Sequence, residues 1–183
     1  MSLDMFSLKG RVALLTGASR GLGLAMAEAL GKAGATIVIN SRDAKQLATA
    51  VDKLKAMGIA ASYQAFDVGD EAACIRAVAD IVRTQGRLDI LVNNAGMNLR
   101  HALTEFPTAD FDAVIAIHLR GAFILSREVL KHMVPAGWGR IINTVSATVR
   151  LGRATVSAYT AAKGGLDAMT RQMAIEFATK GVT

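Results

Sequence analysis

Short apolar segments alternate along this chain with longer stretches in which apolar residues recur every three or four positions. The short segments predict buried strands at RVALLTG (11–17), TIVIN (36–40), ASYQAFDV (61–68), LDILVNNAG (88–96) and RIINTV (140–145). The longer stretches predict helices over residues 22–34, 44–58, 71–86, 108–134 and 157–179. This regular alternation indicates an α/β fold.

Strands that alternate with helices require right-handed crossovers and therefore a parallel sheet that is covered on both faces. We predict a doubly wound parallel sheet within a single domain, residues 1–183. In such sheets the ligand lies beyond the carboxyl ends of the strands, where the strand order reverses. The candidate functional residues below all follow a predicted strand or lie on the next helix.

Composition narrows the classes of function. The chain has 183 residues, 52% of them hydrophobic, and a formal charge of +6. The basic residues are scattered singly, which argues against a nucleic-acid partner, and no apolar run is long enough to cross a membrane. The first ten residues, with Asp4 among them, do not have the pattern of a secretory signal, so we expect a cytoplasmic protein.

Cys74 is the only cysteine, which excludes an intrachain disulfide and a cysteine-based zinc site. It lies in an apolar-periodic stretch that is typical of a helix face turned to the core. We therefore expect a buried, inert thiol, and we predict no metal site.

The turn after the first predicted strand is rich in glycine. Its spacing, Gly-x-x-x-Gly-x-Gly, lets the backbone turn tightly and approach a ligand, while the next helix directs its free N–H groups at a phosphate. The turn predicts a dinucleotide site at Gly17, Ser19, Arg20, Gly21, Leu22 and Gly23.

The end of the second predicted strand addresses the choice between NAD and NADP. An acidic residue there suits the ribose hydroxyl of NAD, whereas arginine suits the 2′-phosphate of NADP. Arg42 and Arg20 favour NADP, and Asp43 favours NAD. We predict NADP as the preferred cofactor and NAD as the alternative; a second interpretation places both arginines in solvent.

Tyr159 and Lys163 are four residues apart and therefore share one helical face. A free phenol has a pKa of about 10, and a neighbouring cation favours its ionised form, as proton exchange near neutral pH requires. Ser146 follows the fifth predicted strand, thirteen residues before Tyr159. Its hydroxyl could hold a substrate carbonyl oxygen beside the phenol, so these three residues form a candidate catalytic site.

With these motifs in place, the whole chain resembles the classical short-chain dehydrogenases/reductases, which have a Rossmann-type fold. Residues 16–23 match the family's T-G-x-x-x-G-x-G, residues 93–96 match N-N-A-G, and Ser146, Tyr159 and Lys163 match its catalytic triad. The resemblance implies hydride transfer between nicotinamide and an alcohol or ketone, with Tyr159 moving the proton. It also implies cofactor contacts at Asp67, Val68, Asn93, Ala95, Gly96, Tyr159 and Lys163.

His118 departs from the family pattern. The family commonly has an asparagine at this position, where it holds a water molecule in a proton relay behind the lysine. An imidazole can also hold a water molecule, so we predict that His118 takes part in catalysis with an altered pH dependence. The alternative interpretation is a histidine that is merely packed against the helix.

The last four residues, 180–183, predict a helix stop followed by the start of a sixth strand. The family continues with that strand and a segment that covers the substrate. Without them the fifth strand would be a bare sheet edge, which folded proteins avoid. We therefore expect the natural chain to continue and the present one to be truncated after the fifth strand–helix unit.

The segments 94–103 and 151–166 resemble the gluconate 5-dehydrogenases of the family. Arg100, Arg150 and Arg153 could then pair with a sugar-acid carboxylate, although they could equally be surface charges. The alternatives are a reductase of 3-oxoacyl thioesters and a dinucleotide-binding protein without catalysis. The family also implies a homodimer or homotetramer, for which the last helix supplies the small residues Ala158, Ala161, Ala162, Gly164 and Gly165.

Overall fold

The computed structural model describes residues 4–183. Residues 1–3, on which part of the expectation about a secretory signal depends, lie outside the described residues. Five parallel strands form one sheet in the order β3-β2-β1-β4-β5. They are β1 (Val12–Leu15), β2 (Thr36–Ser41), β3 (Ala61–Ala65), β4 (Ile90–Asn93) and β5 (Arg140–Asn143).

Six α-helices connect and follow the strands: α1 (Gly21–Lys32), α2 (Ala44–Ala56), α3 (Glu71–Gln85), α4 (Thr108–Ile115), α5 (Gly121–Met133) and α6 (Ser157–Phe177). A π-helical turn, Ala116–Arg120, joins α4 to α5, so the helix predicted over residues 108–134 is interrupted by a wider turn. Short 3-10 helices lie at Asp4–Phe6, Leu103–Glu105, Ala147–Val149 and Ala178–Lys180. No helix in the described part of the chain is long and apolar enough to cross a membrane.

Both faces of the sheet are covered at the three central strands, β2, β1 and β4, whose residues are nearly all buried. The edge strands β3 and β5, which the sequence predicted to be buried, contain no buried residue. Leu14 and Leu91 belong to one core cluster with residues of α3 and α5. Leu15 and Ile37, whose side chains point to the other face, belong to a second cluster with residues of α1 and α2. The predicted doubly wound parallel sheet is confirmed.

The topology places a crevice at the carboxyl end of β1. This strand pairs with β2 on one side and with β4 on the other, so the chain leaves the sheet centre in opposite directions. The loops after β1 and β4 therefore separate above the sheet, which is where doubly wound folds bind ligands.

Four strands are shorter than the sequence predicted. The strands β1, β3, β4 and β5 end at Leu15, Ala65, Asn93 and Asn143, and the residues predicted to extend them lie in turns and loops. After β3 the Phe66 amide donates to the Ser41 carbonyl at 3.1 Å, and the chain then turns into the crevice.

The predicted helix stop and start of a further strand at residues 180–183 are present. Gly181 has φ +78°, the left-handed conformation typical of a residue that ends a helix. Val182 forms a parallel bridge with Gly139, and the Ile141 amide donates to the Thr183 carbonyl at 2.9 Å.

Cys74 is buried on α3, as predicted, with its Sγ 3.4 Å from the Val68 carbonyl oxygen. Burial raises the pKa of its thiol to about 11, and nearby carboxylates add to the shift. The thiol is therefore protonated and shielded.

Candidate active site

An open cavity of about 720 Å³ lies at the carboxyl ends of the strands and is of a size typical of cofactor sites. It brings together most of the residues singled out from the sequence. These are Gly17, Ser19, Arg20, Leu22, Gly23, Arg42, Asp67, Val68, Ala95, Gly96, His118, Ser146, Arg153, Tyr159 and Lys163.

Gly21, Asn93 and Arg100 do not line this cavity. Gly21 shapes the turn through its φ of +58°, and Arg100 is an exposed loop residue, as is Arg150. Asn93 is buried beneath the cavity floor, where its amide donates to two other side chains. The Asn93 side chain thus does not line the cavity, whereas the next residue does.

That next residue, Asn94, ties the loops after β1 and β4 together. Its Nδ2 donates to the carbonyl oxygens of Thr16 and Gly17, both at 3.1 Å. Gly17 has φ +61°, and a Cβ there would lie 2.7 Å from the Ala95 Cα, so only glycine allows this approach. The two loops form one surface.

The first turn of α1 faces the cavity through the glycine turn. No side chain caps this helix: Arg20, at the cap position, makes no capping hydrogen bond. The free N–H groups and the positive end of the helix dipole are thus available to an anion. The turn fits the pyrophosphate of a dinucleotide.

Two basic side chains face the cavity, one from the residue after β2 and one from the glycine turn, whereas the acidic Asp43 turns away. Arg42 and Arg20 line the cavity, and the Arg42 guanidinium lies 3.7 Å from the Asp67 carboxylate. Asp43 instead caps α2, where its carboxylate accepts from the amides of Lys45 and Gln46 at 2.9 and 3.1 Å. Asp43, the residue that favoured NAD, is therefore engaged as the cap of α2.

Tyr159 and Lys163 lie on the first two turns of α6, with the Lys163 Nζ 5.8 Å from the centroid of the phenol ring. Lys163 is buried, and its ammonium donates to the Thr144 carbonyl, which holds it beneath the cavity wall. Burial lowers the pKa of Lys163 to about 8. The amine thus changes charge close to neutral pH.

Ser146 receives two hydrogen bonds from one neighbour. The Thr148 amide donates to its Oγ at 3.2 Å, and the Thr148 hydroxyl donates to the same atom at 3.0 Å. With the oxygen occupied as an acceptor, the Ser146 hydroxyl hydrogen is left to donate to a group in the cavity. Thr148 therefore sets the direction in which Ser146 acts.

His118 lies in the π-helical turn, with its ring centroid 5.1 Å from that of Tyr159 and nearly perpendicular to it. Its Nε2 lies 2.6 Å from the carbonyl oxygen of Met97 and 3.0 Å from the Met97 amide. Burial, the largest cause, and the charge of Lys163 lower the pKa of His118, so the imidazole is neutral near pH 7. The ring is packed tightly: a Cβ on Gly96 would lie 2.4 Å from its Cε1.

Several residues that line the cavity were not singled out from the sequence: Asn40, Ser41, Phe66, Asn94, Met97, Asn98, Ile117, Thr144, Thr148 and Val156. Most of them lie within two positions of a predicted site residue, and this closeness in sequence is the one feature that could have identified them. No cluster of three or more potential metal ligands occurs among residues 4–183.

Comparison with known proteins identifies the family. The family model for short chain dehydrogenases matches residues 11–183. The gluconate 5-dehydrogenase of Gluconobacter oxydans is 41% identical over 179 residues, which cover 98% of this chain and 70% of that protein. The 2-dehydro-3-deoxy-D-gluconate 5-dehydrogenase of Formosa agariphila is 45% identical over 97% of this chain and 68% of that protein.

The solved structures agree. A gluconate 5-dehydrogenase from Burkholderia cenocepacia, in complex with NADP and tartrate, matches with a TM-score of 0.95 and 39% identity, covering 100% of this chain and 72% of that one. The resemblance to gluconate 5-dehydrogenase-like members and the prediction of an NAD(P)-dependent oxidoreductase are confirmed. The chain belongs to the short-chain dehydrogenase family.

Proposed function

We propose that the protein interconverts a secondary alcohol and a ketone on a sugar acid, such as gluconate and 5-ketogluconate, with NADP as the preferred cofactor. The observation that carries the proposal is the convergence of Ser146, Tyr159 and Lys163 with the cationic Arg153 on one cavity that also contains the glycine turn. A proton-transfer site, an anion-binding side chain and a phosphate-binding turn are then within reach of one bound pair of molecules.

The glycine turn and the first turn of α1 would hold the pyrophosphate through backbone amides. Asp67 and Val68, which line the cavity after β3, would hold the adenine, and Lys163 would hold the nicotinamide ribose. A bound nicotinamide supplies the group that accepts or gives up the hydride.

The preference for NADP depends on the positive charges of the glycine turn and of the residue after β2. Arg20 and Arg42 line the cavity where the 2′-phosphate would lie, and Asp43 is engaged as the cap of α2. Two guanidinium groups favour a phosphate, whereas a free carboxylate would have favoured a ribose hydroxyl.

The protein's own part in the reaction is the handling of the oxygen and its proton. Ser146 would donate a hydrogen bond to the substrate oxygen, because Thr148 occupies its acceptor side. Tyr159 would take the hydroxyl proton during oxidation and return it during reduction. The charge of Lys163 would stabilise the phenolate that this transfer produces.

Arg153 supports a carboxylate-bearing substrate. All three candidate arginines are exposed, and Arg153 is the one of them that lines the cavity. The names of both relatives describe sugar acids, and the Burkholderia structure holds tartrate, itself a hydroxy acid. A guanidinium within the cavity is the group that would select such substrates.

The test is turnover of gluconate with NADP and with NAD, of 5-ketogluconate with the reduced cofactors, and of a 3-oxoacyl thioester with NADPH. We expect turnover of the sugar acids with NADP preferred. Arg153→Gln is expected to raise KM for gluconate about tenfold, the loss of one charge-assisted contact, with little change for Arg150→Gln.

Reduction of the thioester alone would replace the sugar-acid proposal with the second candidate substrate class. Binding of NADP without turnover of either substrate would identify a non-catalytic dinucleotide-binding protein.

We also propose that residues 1–183 act as one dinucleotide-binding domain that forms a homodimer or homotetramer. Ala158 and Ala162 of α6 are fully buried within the chain's own core, so these small residues serve internal packing. Phe111 and Phe123 are instead exposed, at 40% and 49%, along the helix that spans α4 and α5. Light scattering on the purified protein measures its molar mass in solution, and the mass of a monomer would contradict the proposed oligomer.

A further inference from the structure

Two buried side-chain atoms among residues 4–183 have no hydrogen-bond partner in the protein: the Nδ1 of His118 and the Oδ1 of Asn93. Both side chains are more than nine-tenths buried, with 4% and 5% of their surface exposed. Buried polar atoms in folded proteins are nearly always paired, with protein or with ordered water.

Both residues line the same small cavity, which has a volume of about 10 Å³ and shares part of its wall, His118 included, with the main cleft. The remaining wall includes the apolar side chains of Val68, Ala122 and Leu125. The space suits a single water molecule, and the two polar atoms supply the partners that such a water needs.

The chemistry of the two atoms defines what the cavity binds. The Nδ2 of Asn93 donates to the Asn143 Oδ1 at 2.8 Å and to the Ser126 hydroxyl at 3.3 Å, so its Oδ1 is an acceptor. The Nε2 of His118 lies 2.6 Å from the Met97 carbonyl oxygen and 3.0 Å from the Met97 amide nitrogen, and the shorter contact favours the tautomer with its hydrogen on Nε2. The neutral ring then has an acceptor at Nδ1.

We propose that one water molecule occupies this cavity and donates one hydrogen bond to the His118 Nδ1 and the other to the Asn93 Oδ1. A water molecule has two donors, and the cavity presents two acceptors. The bridge joins the π-helical turn to the end of β4 and, through Asn143, to Thr170 on α6 at 2.9 Å. It does not depend on the identity of the substrate.

The bridge makes His118 a positioning residue. Because the water donates to Nδ1, the ring keeps its hydrogen on Nε2 and donates it to the Met97 carbonyl. This hydrogen bond anchors the segment that lines the cavity after β4. The same constraint holds the ring against Tyr159. Neither ring nitrogen is then free to relay a proton to the phenol.

A crystal structure with ordered solvent and a nitrogen-15 spectrum of the histidine rings test the bridge on the unaltered protein. We expect a water within hydrogen-bond distance of both atoms and the tautomer of His118 with its hydrogen on Nε2. A clearly resolved cavity without water, or the hydrogen on Nδ1, would overturn the proposal. The half-buried His101, which is bonded to Asp110, is the reference ring in the same spectrum.

Substitutions at Ala122, which lines the cavity, give a second test. Ala122→Val fills the space and expels the water, whereas Ala122→Ser puts a hydroxyl in its place. We expect Ala122→Val to lower the melting temperature more than Ala122→Ser, and only Ala122→Val to broaden or shift the His118 ring signals.

Ala77 of α3 is the matched control, because it is equally buried but belongs to an apolar cluster. There Ala77→Ser should be at least as harmful as Ala77→Val. The same order of effects at both positions, with unchanged His118 signals, would show that no water bridge exists.

Discussion

The two sides of the cleft are built differently. On the dinucleotide side, the Asn94 side-chain amide joins the loops after β1 and β4. The Thr16 hydroxyl also accepts from the backbone amides of Asn94 and Ala95, both at 3.0 Å. On the substrate side, residues 98–107 and 147–156 meet through a hydrogen bond from the His101 amide to the Thr155 carbonyl at 3.2 Å. Leu103 and Leu151 on these loops are 78% and 66% exposed and therefore make few packing contacts.

This difference teaches where precision lies in the fold. Backbone groups at strand ends form the dinucleotide side, and they cannot change without disturbing the sheet. Loops supply the other half, and loops tolerate change. Ser146, Tyr159 and Lys163 lie at the border between the two, so substitutions there separate the contributions of the two sides.

The largest effect is expected for Tyr159→Phe, which removes the proton donor at the border and nothing else. Turnover of gluconate should fall about 10³-fold or more, since general acid–base catalysis contributes about 10²–10⁴-fold. The affinity for NADP should stay nearly unchanged, because the glycine turn and the arginines Arg20 and Arg42 are unaltered. Steady-state kinetics and cofactor titration measure the two quantities, and retained turnover would refute the role of Tyr159.

Lys163→Met should change how stability depends on pH. Burial lowers the pKa of Lys163 from 10.5 to about 8, so between these values the unfolded chain binds more protons and stability rises with pH. Relative to Lys163→Met, the unaltered protein should gain about 3 kcal/mol of unfolding free energy across this interval. Urea unfolding at pH 7.5 and 10.5 measures it, and parallel pH dependences would contradict the lowered pKa.

Arg42→Ala probes the charged rim of the dinucleotide side. We expect KM for NADPH to rise about tenfold, an effect of about 1.4 kcal/mol, because one guanidinium facing the 2′-phosphate is lost. KM for NADH should not change. Arg83→Ala, which removes an exposed arginine paired with Asp80 on α3, is the control. An equal effect on both cofactors would show that Arg42 does not read the phosphate.

The smallest effect is expected for Thr148→Val, which keeps the shape of the side chain and removes its hydroxyl. Ser146 would lose one of its two donors, and kcat should fall a few-fold, in line with about 1 kcal/mol for a neutral hydrogen bond. The affinity for NADP should not change. Thr49→Val, on the exposed face of α2, controls for the loss of a threonine hydroxyl; equal rates for the two variants would exclude the orienting role.

The sequence predicted the fold and the residues that meet at the cavity well where their requirements are local. Buried strands, a glycine turn and a phenol–amine pair one helical turn apart each follow from short-range geometry, and the observed strands and helices lie within a few residues of their predicted bounds. The parallel sheet followed because the regular alternation of strands and helices permits few other arrangements.

The sequence could not resolve features that depend on side-chain direction. It did not show that Asn93 turns below the cavity while Asn94 faces it, because adjacent residues leave a strand in opposite directions and the exit of the chain decides which one meets the ligand. It assigned Asp43 only to the choice between NAD and NADP and did not show that its carboxylate caps α2. Contacts between distant segments, such as that of His118 with Met97, are invisible to local patterns.

The burial of Cys74 has a practical consequence for studying the loops of the substrate side. The chain has one cysteine, and its thiol is shielded in the core with a pKa raised to about 11. A cysteine introduced into residues 98–107 or 147–156 would be the one thiol that reacts readily with a maleimide. Fluorophores or spin labels can thus be attached there, and loop motion can be recorded during turnover, without first removing the native sulfur.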